Sequence, residues 1–250
     1  MRYAVAAIAA RPRHDRFRHR SYALIMDGLR FVFKGKPWTL YVIAAKPATE
    51  NFAVFLDPVL IAGDEGAGHW REALTRLPGS LIKRVLAMVS DGFQGSGNIA
   101  KQRGWIHQRC HFHLLYSLQN RLGRRRSTVR GRIIREMIYH TVCNMITDQN
   151  ARKMGTYARI LRRCIKNPKC PKTLVMIARD FLREFHAFRS YLDYSQLNLP
   201  ATTGTIESMN KILRASCRTV NMPHALQKRA ITVIRLRRKL VCNDKIYQQN

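Results

Sequence analysis

Apolar positions along this chain change their spacing several times, and each change marks an element. Tyr22 to Met26 and Leu29 to Phe33 are short apolar runs on either side of Asp27-Gly28. Trp38 to Ala45 follows the turn signal Lys34-Gly35-Lys36-Pro37. Aromatic and β-branched residues between tight turns predict three strands of an antiparallel meander over residues 21–45. Helical spacing then predicts a helix from Glu50 to Leu60, a glycine-rich break over Gly63 to Gly68, and an amphipathic helix from Trp70 to Leu77 that stops at Pro78-Gly79. Val85 to Val89 is a continuous apolar run, the mark of a strand covered on both faces, and it ends at Ser90-Asp91-Gly92. A short helix near Gly95 to Arg103 and a strand from Trp105 to Cys110 complete an alternation that favours parallel pairing beside the meander.

From residue 111 to 195 no strand pattern appears. His111 to Leu122, Val129 to Ile146, Ala151 to Ile165 and Thr173 to Phe188 read as helices, with Pro168 and Pro171 separating the last two. Residues 196–203 read as a loop. Thr202, Thr203 and Thr205 are candidate N-caps for a helix that carries Glu207. Pro223 can open a last helix, His224 to Val241, with an apolar stripe of Leu226, Ala230, Val233, Ile234 and Leu240. The expected class is α/β: a mixed sheet, meander plus parallel strands, interrupted by an all-helical segment. Trp70 and Trp105 read as core residues.

Charge changes the picture most. Lys and Arg number 45 against 15 Asp and Glu, a formal charge of +30 and a pI near 11.0. Such a field draws polyanions, and each neutralised phosphate releases counterions, so DNA or RNA is the expected partner. A hydrophobic fraction of 46% excludes wholesale disorder, and no long uncharged apolar stretch predicts a membrane span. Six scattered cysteines without paired CxxC spacing read as reduced cytosolic thiols, so the expected location is the cytoplasm, with nucleoid association expected beside the DNA partner. Residues 1–20 form a basic lead-in. Arg121, Arg124, Arg125, Arg126, Arg130, Arg132 and Arg135 have only Glu136 as a nearby acid and read as a phosphate-tracking face. Lys211 and Arg214, beyond Glu207, are candidates for the same task.

In so basic a chain the acids stand out. Asp27 and Asp91 each close an apolar run and precede a glycine, and two such strands side by side would bring their carboxylates together. Glu207 could join them from its helix. Converging carboxylates call for divalent cations, and Mg²⁺ or Mn²⁺ prefers oxygen ligands of this kind. Two ions about 4 Å apart can activate an attacking oxygen and stabilise a leaving one at a phosphodiester. Cys110 and His113 read either as a buried thiol with a packed histidine or as part of a zinc site with His107, His111 and Cys164 or Cys170; spacing does not fix four ligands.

Ser90-Asp91-Gly92, then Cys110-His111-Phe112-His113 after a strand, then Thr202-Thr203-Gly204-Thr205-Ile206-Glu207-Ser208-Met209-Asn210, resembles in order the DDE transposases of the Mutator-like group from prokaryotic insertion sequences. Leu24 to Phe33 resembles that family's first catalytic strand, and the likeness spans roughly residues 21 to 216. It implies an RNase H-like core in two parts, residues 21–110 and 199–250, with the helical insertion at 111–198 between them. It implies that Asp27, Asp91 and Glu207 hold two Mg²⁺ or Mn²⁺ ions, with Cys110 and His113 as a supporting Cys-x-x-His element. It also implies cleavage and strand transfer of transposon ends into target DNA by a homo-oligomer. Only 26 residues precede Asp27, and none resembles the family's usual N-terminal DNA-binding module, so a truncated copy is expected. Two other readings use the same residues: a catalytically inactive DNA-binding remnant, and an RNase H-like nuclease that cuts without joining.

Overall fold

Tyr22–Phe33 is one unbroken strand, β1, rather than two. Its ladder with β2 (Lys36–Pro47) runs from Tyr22↔Pro47 to Phe33↔Lys36 without interruption, so Asp27-Gly28 makes no turn. The hairpin turns at Lys34-Gly35, where both residues have positive φ (48° and 76°), the backbone that a two-residue loop between right-twisted strands requires. A computed structural model describes residue 17 and residues 19–120, 129–237 and 239–241 of the chain.

The expected helix from Glu50 to Leu60 is instead two short strands, β3 (Phe52–Phe55) and β4 (Val59–Ala62), both antiparallel to β2. Short apolar runs fit either period, and here the open edge of β2 decides the outcome by supplying hydrogen-bond partners. Helices α1 (Ala67–Thr75) and α2 (Gly79–Ile82) lead into β5 (Val85–Ser90), and α3 (Ser96–Arg103) leads into β6 (Ile106–Arg109). β5 pairs parallel with β1 on one side and with β6 on the other.

No strand occurs among the described residues between β6 and residue 239. Helices α4 (His111–Asn120), α5 (Val129–Thr147), α6 (Ala151–Lys166), α7 (Lys172–Arg183) and α8 (Phe185–Asp193) fill that interval, and α9 (Gly204–Cys217) and α10 (Pro223–Leu236) follow. The single helix expected over Thr173 to Phe188 breaks at Glu184, whose backbone (φ −98°, ψ 17°) leaves the helical region. The last helix stops at Leu236, and Lys239–Val241 forms β7, antiparallel to β3. The mixed sheet has the order β6-β5-β1-β2-β3-β7, with β4 beside β2.

Side chains alternate across a strand, and β1 and β2 obey this strictly. Tyr22, Leu24 and Met26 of β1 and Tyr41, Ile43 and Ala45 of β2 face α1 to α3, where Trp70 and Leu74 meet them. Ile25, Leu29, Leu40 and Val42 face the other way, onto Ile206, Met209 and Leu213 of α9 and Leu226 and Ile234 of α10. The sheet is therefore sandwiched, and Tyr22 to Met26 of β1 are buried on both sides. The helices between β6 and α9 have their own core, which includes Leu118, Val142, Leu161 and Phe181. That block is fixed to β6 by buried polar contacts: Gln108 Oε1 accepts from Tyr191 N at 2.8 Å, and His111 Nε2 donates to Phe188 O at 2.6 Å. Burial lowers the His111 pKa to about 4, so the ring is neutral and spends its one proton on that carbonyl. No helix of the described residues is long and apolar enough to cross a membrane.

Trp105 is buried, and Trp70 more deeply: it is fully buried, edge-on to Tyr41 at 4.6 Å and stacked on Phe93 at 5.1 Å. Trp70→Ala is expected to cost about 3–5 kcal/mol of unfolding free energy, because a large cavity opens where three elements meet. Urea denaturation of the variant against the wild type measures this, and a loss below about 1 kcal/mol would refute Trp70 as the anchor of this layer.

Candidate active site

Register brings the two aspartates together. Met26 lies opposite Ser90 on parallel neighbours, so Asp27 and Asp91 are the next residues along β1 and just past β5. Asp91 is a strand-end residue, as its apolar run predicts. Asp27 is not, because its own strand continues; it is simply the first residue of β1 beyond the reach of β5. Being odd-numbered on β1, it belongs to the face that carries α9. There Asn210 Nδ2 donates to Asp27 Oδ2 at 2.7 Å, from one helical turn after Glu207. Glu207 lies in the first turn of α9, where the helix dipole favours a carboxylate.

Three elements thus aim carboxylates at one end of the sheet, and a fourth joins them. Glu65 precedes α1, and its carboxylate fills the space beside Gly28 so closely that a Cβ there would stand 2.6–2.8 Å from its atoms. Trp70 Nε1 donates to Glu65 Oε1 at 2.8 Å. Glu65 as a residue is exposed. Desolvation, then the charges of Asp91, Glu65 and Glu207, raise the Asp27 carboxyl from 3.8 to about 8. Desolvation and the charge of Asp91 raise Glu65 from 4.5 to about 7, against the lowering effect of the Trp70 N–H. Sequence reasoning missed Glu65. The scarcity of acids applied to it equally, and its spacing from Trp70 was the remaining signal, but the surrounding glycines read only as a break.

Cys110 follows β6 and is held by its backbone N–H to Ser90 O at 2.8 Å. Its Sγ accepts from Thr203 N at 3.3 Å and lies 3.2 Å from Thr203 Oγ1, which donates to Glu207 Oε1 at 3.0 Å. One hydroxyl proton cannot serve both neighbours. Burial pushes the Cys110 thiol up to about 11, so the sulfur keeps its proton and donates it to Thr203, which donates onward to Glu207. Thr203 therefore orients Glu207 instead of capping the helix with its side chain, and Thr202 Oγ1 accepts from Gly204 N. His113 Nδ1 stands 3.7 Å from Glu207 Oε1, and it has no hydrogen-bond partner. Among the described residues, the ligand-type atoms within 4.8 Å of one another are those of Cys110, His113 and Glu207. Asp27 and Asp91 lie outside that group. The other zinc candidates are elsewhere: Cys164 and Cys170 lie in the helical core, and His107 bonds Ser90 Oγ at 3.0 Å.

A cleft of about 640 Å³ runs from this site to the helical block, lined by Asp91, His113, Arg109, Arg179 and Arg183, with Phe188 also contributing. Arg109 pairs with Asp180 at 2.7 Å, lies 4.7 Å over the Phe188 ring and presses against Gly92, whose φ of +89° and missing side chain leave room for it. Its Nε is buried without a partner. Arg109, Arg179 and Arg183 were not singled out from the sequence, because no local pattern separates them from the other arginines. Lys211 and Arg214 are exposed on α9 beside Glu207. Arg121, Arg124, Arg125 and Arg126 lie outside the described residues, as does the side chain of Arg130.

A carboxyl whose folded pKa is raised costs stability in its charged form. For Asp27 that cost is absent below about pH 4 and grows as pH rises towards about 8. In EDTA, Asp27→Asn is therefore expected to gain in Tm relative to the wild type as pH goes from about 5 to about 8.5, with the Asn210 bond kept by the new amide oxygen. Differential scanning fluorimetry reads the difference, and a gap that does not change with pH would count against repulsion at this site.

No curated protein matches the chain. The profile described as "Transposase, Mutator family" matches residues 58–236, from β4 to the end of α10, a span that takes in Glu65, Asp91, Cys110, His113 and Glu207 and begins beyond Asp27. With well over half its length inside that match, the chain belongs to the Mutator family of transposases.

Proposed function

We propose that this transposase is of the DDE type, encoded by a prokaryotic insertion sequence, and that it cleaves and rejoins DNA with Asp27, Asp91 and Glu207 as its carboxylate trio. The observation that carries this reading is the convergence of acids from β1, β5 and α9: burial first, and then the charges of Asp91, Glu65 and Glu207, raise the Asp27 carboxyl to about 8. Acids gathered in a chain of net charge +30 mark a place where negative charge is wanted. The strand order β6-β5-β1-β2-β3, meander plus two parallel strands, supports an RNase H-like core at 21–110 and 199–250 interrupted by the insertion at 111–198.

The donor set fits Mg²⁺ or Mn²⁺. It is built of hard oxygens, and the charges that act on Asp27 are those of the other acids. Asp27, Asp91 and Glu207 would hold the metal, which when bound would supply Lewis-acid polarisation of the phosphodiester and a more acidic attacking hydroxyl. The chain's own residues do the positioning. Asn210 orients Asp27, the Phe93 N–H fixes Asp91 Oδ1 at 3.0 Å, and Thr203 orients Glu207 with Cys110 behind it. Arg109, Arg179 and Arg183 line the cleft with positive charge for the DNA backbone. In cleavage a water oxygen bonds to phosphorus and the 3′ oxygen leaves as a hydroxyl; in transfer that 3′-hydroxyl attacks a target phosphodiester and displaces the target's own 3′ oxygen.

Strand transfer with Mg²⁺ or Mn²⁺ on DNA bearing the element's terminal repeats tests the reading. Asp91→Asn is expected to lower the rate about 10³-fold, equivalent to about 4 kcal/mol, while DNA binding at moderate salt stays within about threefold. Equal rates for the variant would end the assignment. Nicks without joined strands in the wild type would make the protein a nuclease instead.

A further inference from the structure

Glu65 is the acid that the trio leaves over. It lies outside β1, β5 and α9, in the layer of α1, yet its carboxylate is packed beside Gly28, next in sequence to Asp27. A carboxylate with nothing to do there would turn out to solvent, since Glu65 lies at an exposed position. Instead the fully buried Trp70 holds one of its oxygens at 2.8 Å, five residues downstream in the same turn of chain. The same indole stacks on Phe93, whose N–H binds Asp91 Oδ1. One rigid ring thus sets Glu65 and Asp91 relative to each other, and glycine at position 28 supplies the space. Independently, Asn210 points to a missing ligand. Its side chain is 7% exposed, its Nδ2 is spent on Asp27, and its Oδ1 is buried with no partner.

We infer that Glu65 is a fourth carboxylate ligand of the cation site, entering from the α1 side of the sheet opposite α9. Trp70 then acts as its positioning residue, occupying Oε1 so that Oε2 is the oxygen offered inwards. Gly28 serves by absence, because any side chain there would displace the carboxylate. The inference rests on the cation site proposed above.

The test is Mn²⁺ titration into the metal-free chain by calorimetry, with wild type, Glu65→Gln and Asp91→Asn side by side. Gln keeps an oxygen for the Trp70 N–H, so a purely structural role for Glu65 would leave Mn²⁺ affinity unchanged. The expected result is at least about tenfold weaker binding in Glu65→Gln, with Tm in EDTA no lower than wild type, since a ligand charge is lost and a repulsion relieved. Weaker binding in Asp91→Asn together with wild-type binding in Glu65→Gln would overturn the role of Glu65 and spare the trio. Wild-type binding in both variants would overturn the cation site itself.

Discussion

The parallel rung between Met26 and Ser90 determines where charge gathers in this fold. Strands in a sheet lie about 4.8 Å apart, so the residues just beyond that rung, Asp27 and Asp91, face each other without any long loop to bring them in. The cost is large: desolvation first, and then the neighbouring acids, raise the Asp27 carboxyl to about 8. An interaction this unfavourable persists only because the surrounding packing does not depend on it. Ile25, Met26, Val89 and Met88 are all fully buried in the strands that carry the two acids, and helices cover both faces. The apolar sandwich holds the charges in place, and the acids add hydrogen bonds across its layers, from Asn210 to Asp27 and from Trp70 to Glu65.

Once the aspartates are set, the other groups follow from which face they can reach. The odd-numbered side of β1 faces α9, so Asn210 and Glu207, one turn apart on that helix, approach from there. The even-numbered side faces α1, and at position 28 the absence of a side chain admits Glu65. The edge strand β6 supplies Arg109 and then Cys110, the first turned to the cleft and the second to Thr203 and Glu207. Four elements with no sequence relation to one another thus meet at one end of one sheet. The helical block reaches the same place through Asp180 on Arg109 and through the Phe188 carbonyl on His111.

How much of this the sequence discloses depends on whether the signal is local. The apolar run Val85 to Val89 and its closing Ser90-Asp91-Gly92 declare a buried strand and a sharp exit, and both are present. The helices from His111 onward were legible because amphipathic spacing persists over several turns in most of them, as α6 and α7 illustrate. β3 and β4 were not, because FAVF and VLIA are four-residue runs whose fate depends on the distant edge of β2. Asp27 stands out in the sequence as an acid within apolar surroundings, but the glycine after it reads as a turn. Only the continuous ladder to β2 shows that Gly28 makes room and does not bend the chain. Glu65 and Arg109 were illegible for the same reason: each matters through a partner far away, Gly28 for one and Gly92 with Asp180 for the other.

The Cys110–Thr203–Glu207 chain shows how a neutral group can serve an acidic site in a strongly basic protein. A lysine or arginine at position 110 would orient Glu207 more strongly, but it would also neutralise it, and a neutralised carboxylate is a poor cation ligand. A thiol with its pKa near 11 stays uncharged and passes only a hydrogen bond through Thr203. Asn210 does the same for Asp27, and Trp70 for Glu65. Each of these three acids is thus held by an uncharged donor, although the chain carries 45 Lys and Arg. The abundant positive charge lies along the cleft wall and on the outer face of α9, at Arg179, Arg183, Lys211 and Arg214, close enough to attract a phosphate backbone. That separation, neutral donors around the acids and cations beyond them, is the arrangement that the proposed cation site and the attraction of a polyanion would each require.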